Sequence, residues 1–127
     1  MVDIENIVKK CLKNIVTELL KKEGSFESAI ASLELRCDNM FKSIEKNEED
    51  LSLFSRVHLG IIDINSDKID KRMKYMLFYI KVSKEHIESL KWLLKNKNKF
   101  NFDKVKLYNL SLLKEKLSKK NSIFLPF

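Results

Sequence analysis

From Phe26 to Ile61 the chain sets one residue on a single helical stripe at alternating steps of four and three. The stripe reads Phe26, Ile30, Leu33, Cys37, Met40, Ile44, Asn47, Leu51, Phe54, His58 and Ile61. A period of 3.5 kept without a slip is the pattern of helices packed along a shared seam. The same spacing returns in Ile69, Met73, Met76, Ile80, Ser83, Ile87, Leu90 and Leu94. A strand cannot use such a pattern, because its faces alternate every second residue. The 127 residues hold only two glycines and one proline, whereas a sheet protein needs turn residues at roughly every eighth to twelfth position. These observations predict an all-α fold: an antiparallel helical bundle built on a long coiled-coil-like hairpin and flanked by two shorter helices.

Capping residues divide the chain into four predicted helices. Asp3 and Ser25 are N-cap types ahead of helices over about 4–22 and 26–62, and Gly24 lies between them as a C-terminal stop. KNEED at 46–50 reads either as a break with Asn47 as a new cap or as one continuous helix, and the unbroken phase favours continuity. Ser66 opens a third helix over about 66–97, and Asp103 a fourth over about 103–119. The domain spans 1–120, and NSIFLPF at 121–127 is a short tail. With 44% hydrophobic and 34% charged residues, the chain has enough apolar material for one core without disulfides or metals.

Short turns imply antiparallel neighbours, and in an antiparallel pair the summed residue numbers stay constant. For the second and third helices, this pairs Phe54 with Met76, Ile44 with Ile87 and Met40 with Leu90, and it sets Asn47 opposite Ser83. A buried polar pair that shares a hydrogen bond avoids the roughly 1–3 kcal/mol of leaving each side stranded. Asn47 and Ser83 are therefore the predicted register-setting pair. The same rule sets Val8 against Met40 and Cys11 against Cys37, a possible thiol pair. It also sets Leu90 against Leu110.

Residues that carry chemistry are sparse. Neither cysteine has a histidine at helical spacing, His58 and His86 lack further ligands nearby, and Glu45, Glu48, Glu49 and Asp50 read as ion-pair partners of Lys81 and Lys84. No catalytic, cofactor-binding or metal site is predicted, and the chain is read as non-enzymatic. The net charge is +7, and residues 68–127 hold 16 Lys/Arg against 5 Asp/Glu. A basic half admits an acidic partner, nucleic acid included, but a solvated lysine surface explains it better, so nucleic acid is possible and not favoured. The first ten residues, MVDIENIVKK, lack a secretory pattern, and no run reaches the length of a membrane span. The expected location is the cytoplasm.

One stretch resists a one-stripe reading. In KRMKYMLFYIKV, residues 71–82, six apolar or aromatic residues stand in a row from Tyr75 to Ile80. One partner helix covers Met76 and Ile80 only. Tyr75, Phe78 and Tyr79, with Trp92 two heptads beyond Phe78, are left as a predicted interface. The functional expectation is a self-associating protein–protein interaction or assembly module, a dimer in preference to higher oligomers. The alternatives are a small basic nucleic-acid-binding accessory protein, and a peripheral membrane accessory using the tail. Membrane contact is disfavoured because Lys74, Lys81 and Glu85 interrupt the apolar face.

Overall fold

A computed structural model of the chain describes residues 3–96. They form four helices and, among the described residues, no strand: α1 (Ile4–Glu23), α2 (Phe26–Glu45), α3 (Glu48–His58) and α4 (Lys71–Lys95). The helices pack on one another as an all-α bundle. Each begins on a side-chain cap that fills an amide left unbonded in the first turn. Asp3 accepts from the Asn6 amide, Ser25 from Ser28, and Asp70 from Met73. Gly24 ends α1 at φ 76°, a left-handed conformation that glycine adopts without a Cβ clash. The predicted helix 103–119 and the tail 121–127 lie outside the described residues.

The predicted continuous helix over 26–62 is in fact two. Asn47 takes an extended backbone, φ −125° and ψ 120°, and its Oδ1 accepts from the amides of Glu49 and Asp50 at 2.9 and 3.1 Å. The three acids that follow, Glu48, Glu49 and Asp50, sit in the first turn of α3, where the helix dipole favours negative charge. Local chemistry thus ends α2 although the apolar spacing runs on. The chain leaves α3 through Gly60, at φ 79°, and residues 59–70 are irregular. Ser66 caps no helix; its Oγ accepts from the Lys68 amide within this connection, and α4 begins five residues later than predicted.

α4 is the central element, in contact with α1 and α2 more extensively than those two are with each other. Phe26, Ala29, Ile30 and Leu33 of α2 share a cluster with Val16, Leu19 and Leu20 of α1 and with Ile87, Leu90 and Leu93 of α4. Further along, Cys37 and Ile44 pack with Met73, Met76, Leu77 and Ile80. Numbers rise along α2 as they fall along α4, so these helices are antiparallel. Val8 and Leu12, by contrast, pack with Phe78, Tyr79 and Val82, so α1 runs parallel to α4.

These clusters correct the α2–α4 register. Ile44 lies with Met73 to Ile80 rather than with Ile87, a displacement of roughly three helical turns from the predicted pairing. The α1–α2 pairing agrees with the constant-sum rule, since Met40 packs against the cluster of Val8 and Leu12.

The unusual apolarity of 75–80 follows. Met73, Met76, Leu77 and Ile80 face α2 and α3, while Phe78, Tyr79 and Val82 face α1. A helix packed on more than one side has no broad polar face to spare. Phe78, 1% exposed, is the largest fully buried side chain among the described residues, and burying such a ring is worth about 1.5–3 kcal/mol.

α3 closes one end of the bundle. Phe54 meets Phe41 of α2 edge-on with ring centroids 5.0 Å apart, and Leu53, Phe54 and Val57 pack against the Met73–Ile80 cluster. Asp50, buried, accepts from Arg72 at 2.9 Å, which ties the first turn of α3 to the first turn of α4.

Candidate functional site

Beside α3 lies an open cavity of about 550 Å³. Three segments build it. α3 supplies Phe54, Val57 and His58, the connection supplies Gly60, Ile62, Asp63 and Ile64, and α4 supplies Leu77, Ile80, Lys81 and Lys84. Side chains along the connection alternate: Ile62 and Ile64 line the groove, whereas Leu59 and Ile61 are 71% and 67% exposed. The turn that allows this is held by Asp63, whose carboxylate accepts from the Asn65 amide at 2.8 Å, and by the Ser66 amide donating to the Asp63 carbonyl. His58 stacks on Phe54, with centroids 6.1 Å apart and planes 4° off parallel.

Charge in the groove is one-sided. Of its lining residues only Asp63 is acidic, against Lys81 and Lys84. Neither lysine forms an ion pair among the described residues. The Lys81 ammonium lies 5.8 Å from the centroid of Phe78. The expected pairing of these lysines with the acids at 45–50 does not occur. Asp50 is taken by Arg72, and the shifted register moves the rest of the run away from Lys81 and Lys84.

A second hollow, about 490 Å³, lies by α3 between Glu48, Glu49, Arg56 and Lys68. Its charges of both signs offset one another. Among the described residues no group of three or more His, Cys, Asp or Glu side chains is placed to hold a metal ion, and no helix is long and apolar enough to cross a membrane.

The predicted interface is largely internal. Phe78 and Tyr79 are buried against α1, and Trp92 packs partly buried on the Ile87–Leu90 cluster. Tyr75 alone is exposed, at 36%, with its ring 6.1 Å from that of Tyr79. The difference arises because α1 runs along α4 and covers the Phe78–Val82 face itself.

Asn47 and Ser83 do not form a register pair. The Asn47 side-chain oxygen is occupied by its capping bonds, and Ser83, 0% exposed, has an Oγ with no hydrogen-bond partner among the described residues.

Cys11 and Cys37 are free thiols in different company. Burial pushes the Cys37 thiol above its ordinary pKa, and nearby Lys84 opposes that shift. Tyr75 has its pKa raised first by burial and then by the charges of Cys11 and Tyr79. His86 is held down at about 4, by burial and then by the charge of Lys13.

Sequence reading missed Leu59, Ile62, Ile64 and Leu77 as surface-forming residues. Gly60 and the polar run NSD at 65–67 mark the end of the stripe, but no periodicity shows how the residues between them fold. Comparison with protein-family models, with curated proteins and with solved structures finds no match to this chain.

Proposed function

We propose that the chain is a non-catalytic, self-associating interaction module that uses the α3 end of the bundle. The observation that supports this reading is the exposure of Leu59 and Ile61 on one short loop. Two large aliphatic side chains in water, set beside further apolar surface, favour association. A second copy is the occupant because a two-fold contact joins the same patch of two copies, and Leu59 and Ile61 of each would meet their counterparts across the axis. Light scattering coupled to size exclusion tests it. The full chain is expected as a dimer, and Leu59→Asp with Ile61→Asp as a monomer. Both sites are exposed, so the substitutions leave the core intact. A monomeric wild type removes the self-association reading.

Charge favours a second reading for a different region. Residues 3–96 carry 17 Lys/Arg against 16 Asp/Glu, while residues 97–127 carry 8 against 2. The basic excess therefore falls in residues 97–127, and a nucleic-acid partner would be recruited by them. Affinity for generic DNA that falls steeply with salt, and is lost on removing 97–127, supports that reading.

A further inference from the structure

We infer that the groove between α3 and α4 binds a single-chain amphiphile with a carboxylate head, of the fatty-acid class. Its shape and polarity follow the order of residues along α4. Leu77 and Ile80 line the wall first, and Lys81 and Lys84 follow on the same flank. From residue 77 to 84 the helix rises about 10 Å, so an apolar chamber passes lengthwise into a cationic rim. Phe54, Val57, Ile62 and Ile64 complete the apolar part from the opposite side.

Cavities of roughly 300–1,000 Å³ with mostly apolar walls and a few polar groups are the usual form of small-ligand sites, and this one measures about 550 Å³. Two neighbouring ammonium groups without carboxylate partners among the described residues select an anion for the head. The one acid that lines the groove, Asp63, is engaged with the Asn65 amide. A neutral chain would gain nothing from the two exposed ammonium groups, and a small anion alone would leave the apolar walls in water.

The ligand surface is separate from the association surface. Leu59 and Ile61 point out of the loop whose Gly60, Ile62 and Ile64 line the groove. The two readings therefore fail independently, and Leu59→Asp/Ile61→Asp is expected to keep ligand affinity.

Calorimetric titration of the full chain with sodium laurate, below its micelle concentration, tests the inference. Saturable binding of one laurate per chain is expected, with none for acetate. Lys81→Gln/Lys84→Gln is expected to weaken laurate about tenfold, the sum of two partly exposed ion pairs, and to leave the affinity for 1-decanol unchanged. Val57→Asp, which sets a charge in the apolar wall, is expected to abolish binding of both while thermal denaturation shows a folded protein. Absence of saturable laurate binding overturns the inference, as does equal laurate affinity in the lysine variant. Capture by phosphatidylglycerol vesicles without binding of free laurate also overturns it, since that result marks a charged surface rather than a pocket.

Discussion

Replacing Asn47 by Ala removes an acceptor that satisfies two amides, those of Glu49 and Asp50. Loss of an N-cap side chain costs about 0.5–2 kcal/mol, with about 1 typical. Asn47 is exposed, so the freed amides gain water and the cost falls near the middle of that range. Asn47→Leu is expected to cost as much, because the new side chain meets solvent rather than a seam. Ser83→Ala has the opposite expectation. Its hydroxyl is fully buried without a partner, and an unsatisfied buried group carries a penalty of about 1–3 kcal/mol, so removal is expected to be neutral or to stabilise by up to about 1 kcal/mol. The two sites share no partner, and the double variant should equal the sum of the singles within about 0.5 kcal/mol. Urea denaturation followed by far-ultraviolet circular dichroism measures all four proteins. A stabilising Asn47→Leu, or a coupling above about 1 kcal/mol, would refute the capping assignment and restore a direct Asn47–Ser83 contact.

Two further outcomes follow from the core and from His86. Phe78→Ala is expected to destabilise by about 3–5 kcal/mol, read by the same denaturation, because the ring is buried against α1; a loss under about 1 kcal/mol would mean that α1 does not cover this face. For His86 the folded pKa, about 4, lies below its ordinary 6.5, so the unfolded chain takes up the proton first. Its contribution to stability is intact above pH 6.5 and declines as pH falls towards 4, by on the order of 1–2 kcal/mol after discounting for the partly exposed ring. His86→Gln should flatten that limb of the stability–pH curve relative to wild type, and an unchanged slope would show that another group titrates there.

The helical class, the caps Asp3 and Ser25, the stop at Gly24 and the α1–α2 pairing were all legible, because each depends on neighbours close in sequence. The break at Asn47 was not. Heptad counting records where apolar side chains fall around an axis and is blind to whether the axis continues. Here the two readings differ by a backbone rotation at one residue. The capping chemistry of Asn47 ahead of three acids was the stronger signal, since it acts on amides already in place, whereas the seam depends on a partner whose register is unknown. The α2–α4 error came from the same source. A match of two polar residues, Asn47 and Ser83, looked like an energetic requirement, yet the fold buries Ser83 Oγ unpaired and spends Asn47 on a helix end. The candidate groove was illegible for another reason. It is formed by alternate residues of an irregular loop, and that alternation depends on the turns at Gly60 and Asp63 rather than on a period.

The position of that loop in the topology gives it weight. Ile44, near the end of α2, already packs with Met73, near the start of α4. Antiparallel helices whose ends meet in this way need a connection of only about two to eight residues. The chain instead places 25 residues, α3 included, between Glu45 and Lys71. Closing a longer loop costs conformational entropy, and this one leaves Leu59 and Ile61 in water. Part of the cost is offset by contacts that hold the excursion down: Phe54 on Phe41, and Arg72 on Asp50. Those contacts secure α3, but they do not require the loop beyond it to project two aliphatic side chains outward while lining a cationic-rimmed hollow inward. A bundle built for stability alone would dispense with both features. Connections that rest on a rigid scaffold are where binding residues concentrate. The α1–α2–α4 core is thus the scaffold, and the 46–70 excursion is the part of the molecule we propose as its binding surface.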